Sequence, residues 1–593
     1  MKALNPVKRR KIKDLESKFY VIDVETRGLS PKPENFIFGV IYGKDYMRVC
    51  RSPEEMRVFL DSKFFRGKKI FAHNAEFDLS AIYGNIYKDL DDTAVFNGKF
   101  IFANSKNTTF CCSTNLFPTS VKKIGEIIGL PKLDIDDEYT KAGTTHYIKI
   151  TDKMIKYCIR DCEIVYKALL NLFEFIGGLK ITIASSAMHL FRSQFLDEPI
   201  YYNPELQHHF FESYFGGRTE VFRMGECKAK VYDINSLYPD TMKKEIFPNP
   251  ANLIYKENIS LELFDSLLLK YEGCAKVLID HKDTYLGFIP IKKDNKLIFP
   301  TGIFWATINF PELRFALETE TINILSVSWA CYSVGEKSIF EKYVDVLYNL
   351  KNTAINEIMI VIYKLLLNSL YGKFGMKKKY KTKYYEYIPY DLLEKYDNEH
   401  KIYIIKLFNT ERTDCYIQVE DEKLENSYNS IPSYASYVTS YSRIKLLKGL
   451  ISTQFNNLVY CDTDSLFIED DSNIKELITV GNEIGEYKLE KKFIHEIRGL
   501  KNYVYEKDGK IIEGIKGVPS KAVKIEEGVE DGVKFARYEI EKYVKTKQAI
   551  RNELVTGDNY MMNKKIFFKS DKRTVLPDGN TKTLKLKEND IKQ

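Results

Sequence analysis

Four acids in the first third of the chain stand at the ends of apolar runs, in an order that suits metal-assisted hydrolysis. Asp23 and Glu25 lie two positions apart in "VIDVET", so on a strand they project from one side. Two like charges side by side are costly unless a divalent cation on oxygen ligands neutralises them. Asp78 follows in "HNAEFD". Tyr157 and Asp161 are four apart in "YCIRD" and would share one helix face. Four carboxylates and a phenol can hold two metals that clamp a phosphodiester, with Tyr157 orienting the attacking water. Each acid alone would be an ordinary surface group. The three segments in this order point to a nuclease.

A second set lies further on. Asp233 ends the run "VYDINSLYP", and Asp462 and Asp464 flank one threonine in "LVYCDTDSLFIED". If two strands of one sheet carry them, with Asp462 and Asp464 on one face, three carboxylates meet. That suits nucleotidyl transfer, provided cations are at hand for a triphosphate. In "KLLLNSLYG", Lys364 and Asn368 are four apart and Asn368 and Tyr371 three apart, so one helical stripe can face a nucleotide. Gly372 permits close approach of a base or backbone. Lys351, about one helix earlier, offers a second phosphate contact. Tyr238, just past Asp233, places a ring where it would lie under a sugar and exclude a 2′-hydroxyl. Alone, the stripe would be ordinary packing with a snorkelling lysine. Its company with both acid segments argues otherwise.

The elements that must position these groups are legible in outline. Residues 18–28 form a strand, 68–84 a strand running into a helix, and 151–178 a long helix capped by Thr151 and stopped by a glycine pair. Residues 1–180 therefore form an α/β unit, with a helical linker over 181–212. Residues 228–242 open a second unit, a strand followed by a tight turn at Pro239. Short strands and turns fill 255–335, and two helices fill 336–372, the second partly buried. The stretch 376–427, charged and rich in tyrosine, looks like an exposed insertion. A helix precedes a hairpin at 458–470, and the lysine-rich tail from about 540 is expected to pack less tightly.

Composition sets the frame. A chain of 593 residues exceeds one hydrophobic core, so several domains are expected. With 44% hydrophobic and 29% charged residues it reads as a folded soluble protein. A net charge of +7 is compatible with a basic groove for nucleic acid in a mixed surface. Ten scattered cysteines without paired CxxC motifs read as reduced thiols of an intracellular protein without structural zinc. The 41 tyrosines and 37 phenylalanines serve mainly as core, with some free to stack on bases or sugars. The basic, polar opening segment is unlike a signal peptide, and no apolar run is long enough to span a bilayer.

On these segments the chain resembles the family B DNA polymerases, in particular the protein-primed replicative members from small phages and linear plasmids. "DINSLYP", "KLLLNSLYG" and "YCDTDS" resemble the family's motifs A, B and C, and "DVET", "NAEFD" and "YCIRD" its three proofreading motifs. All six occur in the family's order over nearly the whole chain. The resemblance implies an α/β multidomain fold, with an RNase H-like 3′–5′ exonuclease domain and a right-hand polymerase of palm, fingers and thumb carrying two subfamily insertions. It implies an exonuclease at 1–180, linker and first palm segment at 181–254, a first terminal-protein-region insertion at 255–335, and fingers at 336–376. A second insertion at 377–428 would serve processivity and strand displacement, followed by palm at 429–495 and thumb with C-terminal tail at 496–593.

Residue by residue, the resemblance implies that Asp233 and Asp462 hold two catalytic Mg²⁺ ions, with Mn²⁺ as a substitute and Asp464 as an auxiliary acid. Tyr238 would discriminate against ribonucleotides, Lys351 and Lys364 would contact the dNTP, and Asn368 and Tyr371 would support the nascent base pair. "YFGG", with Tyr214, Gly216 and Gly217, resembles the motif that coordinates template between synthesis and editing. Lys501 and Tyr503 resemble the K-x-Y motif at the primer terminus. In the editing domain Asp23, Glu25, Asp78 and Asp161 would hold metals, Asn74 and Phe77 would contact the frayed strand, and Lys132 would be an extra catalytic lysine. Ser113 is followed by Thr114 where the family has a serine–leucine pair, and the spacing before Lys132 is short.

The implied partners are primer-template DNA, the displaced single strand, a terminal priming protein and a single-strand-binding protein, with no membrane. The implied state is a monomer or a heterodimer with the terminal protein, in the cytoplasm or, for a plasmid-encoded chain, an organelle. Two rivals are a family B enzyme using a nucleic-acid primer or none, and an inactive DNA-binding scaffold.

Overall fold

A computed structural model describes residues 1–593 apart from 9–12, 97–98, 135–149, 378–381, 386–399, 408–413, 422–428, 454, 470–473, 520, 545–556 and 588–593. The first sheet has seven strands, in the order Tyr46–Cys50, Phe36–Gly43, Phe19–Thr26, Lys69–Ala72, Thr109–Cys112, Lys99–Asn104, Asp91–Phe96. Its centre is parallel, Phe19–Thr26 beside Lys69–Ala72 and that strand beside Thr109–Cys112, and its flanks are antiparallel. The apolar start of "FYVIDVET" is fully buried, whereas Asp23 and Glu25 reach a partly open edge. The helix Asp152–Ile176 packs across two of these strands with one stripe of buried side chains. Thr151 caps it by accepting from the Met154 amide, and Gly177 ends it at φ 63°, both as the sequence predicts.

The second sheet also has seven strands, in the order Thr219–Val221, Leu458–Asp462, Ser465–Ile468, Gly225–Ile234, Tyr487–Gly499, Asn502–Lys507, Lys510–Ile515. Against its back lies the helix Pro432–Ser452, buried nearly all round. A helix so rich in Ser and Tyr can be central because several of its polar groups find partners, although the buried Ser433 hydroxyl has none among the described residues. The Ser442 hydroxyl donates to the Val438 carbonyl, that of Ser440 to Glu312, and Arg443 pairs with Glu312 at 2.8 Å. Two further helices, Glu341–Thr353 and Glu357–Phe374, pack on each other above the sheet.

Three expectations change. Pro239 does not make a turn. It sits in the first turn of the helix Leu237–Lys244, where its missing amide costs nothing, and the turn falls instead at Ser236, with φ 52°. The region around 255–335 is more regular than short strands and turns. Its strands Glu272–His281 and Ile322–Ser333 run for 10 and 12 residues at the centre of a five-stranded sheet, backed by the helices Leu261–Lys270 and Phe310–Glu318. The described part of the tail is also not loose: Arg573 is 2% exposed, and Lys585–Leu586 joins that five-stranded sheet beside Thr301–Asn309.

Within 377–428 the described strands Thr382–Tyr385, His400–Leu407 and Asp414–Asp421 pair as an antiparallel sheet, and the rest of that stretch lies largely outside the described residues. No helix among the described residues is long and apolar enough to cross a membrane.

Candidate functional site

The first acid set converges on a cavity of about 530 Å³ at the edge of the first sheet. Asp23 and Glu25 come from the strand Phe19–Thr26, Asp78 from the helix Ala75–Tyr83, and Tyr157 and Asp161 from the helix Asp152–Ile176. Asp78 is buried and accepts from the Val24 amide at 3.1 Å, which locks its helix to the strand. Burial, then Asp78, Glu25 and Asp161 in turn, push the Asp23 carboxyl up. Burial pushes Asp78 to about 8 against the pull of its backbone hydrogen bonds. Asp161 is raised by burial and drawn back by Lys132, whose ammonium lies 2.5 Å from it and 4.4 Å from the Tyr157 ring centre.

Acids packed so that each disfavours its neighbour's charge are suited to a cation. A buried Asp161 oxygen, Oδ1, has no hydrogen-bond partner, as expected of a ligand atom held for one. Asn74, in the left-handed region at φ 78°, and Phe77 line the same cavity. Ser113 does not line it. Its buried hydroxyl lies 2.9 Å from His73 Nδ1 and holds that ring against the cavity wall.

Two neighbours were not expected. The Cys158 thiol donates to Asp23 Oδ2 at 3.3 Å, and its sulfur could join Asp23 and Glu25 around one ion. It precedes Asp161 by three residues, so helical spacing could have found it. Tyr543 meets Phe77 edge-on at 5.5 Å from a strand near the end of the chain, which no local pattern announces.

The second set is assembled by register. Asp233 pairs with Ser465, and Ser465 also closes the hairpin opposite Asp462. The Ser465 hydroxyl donates to Asp233 Oδ1 at 2.6 Å. Asp462 ends its strand, but Asp464 does not share a strand face with it. Thr463, at φ 63°, and Asp464 form the turn itself, so alternation does not apply to the pair. Their surroundings also differ. Asp464 is pushed to about 7 by burial and then by Asp233, more than by Asp462. Both oxygens of Asp462 instead meet the Lys501 ammonium, at 2.6 Å each. Burial raises Asp233, opposed by Ser465 and Lys364.

The helix Glu357–Phe374 buries Ile358, Ile362, Leu366 and Leu370 and turns Lys364, Asn368 and Gly372 outward, with Tyr371 half-buried beside them, which makes the expected stripe. A Cβ at Gly372 would meet only open space. Burial, Lys364 and Lys488 lower the Lys351 ammonium, so these three cations lie within reach of one another; Lys488 stands opposite Asp233 in the sheet and was not foreseen. Tyr238 stacks on Tyr371 with centroids 4.6 Å apart, and the Tyr214 ring packs against Gly375 just beyond. Arg443 holds the carbonyls of Phe215 and Gly216, and Gly217 lies against Thr463 so closely that a Cβ would come 2.7 Å from its methyl. Tyr503 accepts from Lys492 at 2.9 Å, a second lysine that lacked a sequence signal.

Residues 132–470 match the family described as DNA polymerase type B, organellar and viral. The chain belongs to that family. A probable DNA polymerase of Podospora anserina is 27% identical over 458 residues, covering 65% of this chain and 36% of its own length. The chain thus spans little more than a third of that relative. The DNA-directed DNA polymerase of Enterobacteria phage PRD1 is 27% identical over 485 residues, 79% of each chain. A crystal structure of phi29 DNA polymerase superposes with a TM-score of 0.68 at 17% identity, covering 93% of this chain and all of that one. The type B polymerase fold is therefore a multidomain α/β architecture with palm, fingers, thumb and additional domains.

The raised acids give a sign for pH. Folded Asp464 and Asp78 hold protons to about 7 and about 8, whereas an unfolded aspartate releases its proton near pH 4. In chelator, the stability this contributes is full below about pH 4 and is lost as pH rises through those folded values. A thermal melt in chelator is expected to fall between about pH 6 and pH 9, and Mg²⁺ to raise it more at the alkaline end. Equal Mg²⁺ stabilisation at both ends would contradict cation binding by these acids.

Proposed function

We propose that the chain is a template-directed DNA polymerase with a 3′–5′ proofreading exonuclease. The observation that carries this is the pairing, in one type B chain, of two separate acid centres on two sheets, one facing a cavity and one lying within reach of Lys364 on a neighbouring helix. The acids fit Mg²⁺. Divalent cations, when bound, neutralise phosphate charge and acidify the attacking hydroxyl or water.

In synthesis Asp233 and Asp464 would hold the cations, because Asp233, after burial, is the largest influence raising the Asp464 carboxyl, whereas Asp462 is taken up by Lys501. Asp462 would anchor Lys501 beside the primer end, with Tyr503 next to it. This reverses the division between Asp462 and Asp464 that the family resemblance implied. Lys351 and Lys364 would bind the dNTP phosphates while Asn368 and Tyr371 support the nascent pair, and the primer 3′-hydroxyl, losing its proton, would attack the α-phosphorus and displace pyrophosphate. Tyr214, Gly216 and Gly217 would guide the template.

In editing Asp23, Glu25, Asp78 and Asp161 would hold the cations. Asn74 and Phe77 would grip the frayed strand, and Tyr157 with Lys132 would orient the water. The exonuclease, palm, fingers, insertion and thumb boundaries drawn from sequence belong to the same proposal. Mg²⁺-dependent extension of a primed template by the purified chain tests it, and failure to extend would sink it.

The resemblance of the six motifs to the protein-primed members supports a replicative role on a linear genome with strand displacement and a terminal protein as primer, and the relatives include the DNA-directed DNA polymerase of a phage, covered over 79% of its length. Transfer of one labelled dNMP to a candidate terminal protein tests that finer reading. Labelling of a nucleic-acid primer alone would refute it.

Tyr238 stacked on Tyr371 leaves a flat wall where a sugar would lie. Tyr238→Val is expected to raise rNTP relative to dNTP incorporation by roughly 10–100-fold, the range over which one pocket contact discriminates. An unchanged ratio would remove Tyr238 from sugar selection.

A further inference from the structure

The back of the Asp462 hairpin is braced by a buried ion cluster contributed in part by the end of the chain. The strand Thr219–Val221 pairs with Leu458–Asp462, Thr219 opposite Asp462 and Glu220 opposite Cys461. Glu220, Arg218 and Arg573 are 0%, 1% and 2% exposed. Arg218 Nε donates to Glu220 at 2.6 Å, and Arg573 Nη1 lies 3.5 Å from the other Glu220 oxygen. The Arg218 carbonyl accepts from the Thr463 amide at 2.7 Å, inside the turn that carries Asp464.

From the other side, Arg573 Nε donates to Thr581 Oγ1 at 2.8 Å, and that hydroxyl donates to the Val221 carbonyl at 2.8 Å. Lys572 donates to the Thr219 carbonyl at 3.1 Å, and Thr219 Oγ1 lies 3.3 Å from Asp462. The segment then crosses to the five-stranded sheet through Lys585–Leu586.

Two guanidinium groups buried on one carboxylate are a poor way to gain stability, since an apolar cluster of similar volume usually does as well or better. Their geometry is directional, however, and a directional contact fixes register. We propose that Arg573, Glu220 and Arg218 are positioning residues, through which the C-terminal segment clamps the strand Thr219–Val221 and sets the Asp462–Asp464 turn against Asp233. Among the described residues none of the clamp's contacts reaches the first sheet, so it serves synthesis and not editing. It rests on assigning synthesis to Asp233 and Asp464.

The test uses the full chain with Arg573→Met, Arg573→Lys and Thr581→Val, reading Mg²⁺ half-saturation for primer extension and for degradation of a single-stranded oligonucleotide in the same preparation. Arg573→Met is expected to raise the half-saturating Mg²⁺ for extension about tenfold, the size of a lost charge-assisted hydrogen bond. Thr581→Val loses the bond from Arg573 Nε as well as the one to the Val221 carbonyl and is expected to raise it by about as much, and Arg573→Lys to recover part of the loss. Degradation keeps its wild-type Mg²⁺ dependence in all three. Unchanged extension in the variants, or an equal shift in both activities, overturns the clamp; Thr581→Val decides if Arg573→Met yields no soluble protein. A wild-type chain that does not extend a primer would instead overturn the polymerase assignment itself.

Discussion

Asp233→Asn and Asp464→Asn are each expected to lower primer extension by roughly 10²–10³-fold, equivalent to the several kcal/mol that a Lewis-acid centre contributes. Asparagine keeps the shape and removes the charge, so the Ser465 bond to Asp233 can persist while the cation ligand is lost. Asp464 is the more telling of the two, because its carboxyl is displaced more by Asp233 than by its sequence neighbour Asp462. Asp462→Asn acts differently. It releases the Lys501 ammonium, so the expected change is weaker binding of the primer end with a smaller loss of maximal rate. Steady-state extension at varied primer-template and varied Mg²⁺ separates these cases. An Asp462→Asn chain crippled in rate, beside an Asp464→Asn chain near wild type, would restore the division implied by the resemblance.

Asp23→Asn and Asp78→Asn are expected to lower 3′–5′ degradation of a single strand by a similar factor while extension stays within about twofold of wild type, since sites without shared partners act independently. Asp78 adds a check on its own. Its Oδ1 receives the Val24 amide, so Asp78→Asn with its oxygen so placed keeps that bond, whereas Asp78→Ala frees the amide and loosens the helix Ala75–Tyr83. Loss of degradation in Asp78→Asn without a lower melting temperature would separate the charge of Asp78 from its structural bond. A parallel fall in melting temperature and activity in both variants would assign it to the scaffold.

Much of both sites was legible because their acids sit in elements of strong local period. Asp23 and Glu25 obey strand alternation, Tyr157 and Asp161 obey helical spacing, and Lys364, Asn368 and Tyr371 form the outward stripe of one helix. What failed to show depends on contacts distant in sequence. Whether Asp464 belongs to a strand or a turn is decided by the pairing of Asp233 with Ser465, 232 residues away, and by the positive φ of Thr463. Lys488 and Lys492 gain meaning only from the order of strands in the second sheet. The tail misled by composition: its many lysines suggested looser packing, while Arg573 and Thr581 within it are buried against the strand Thr219–Val221 beside the hairpin. Pro239 misled because a proline reads as a break, although the first turn of a helix accepts it.

The most direct test follows one end-labelled primer on a template, with and without dNTPs, in the wild-type, Asp464→Asn and Asp23→Asn chains. Two independent centres predict that wild type lengthens the primer with dNTPs and shortens it without them, that Asp464→Asn only shortens it, and that Asp23→Asn only lengthens it. Loss of both activities together in either variant would contradict two centres in one chain.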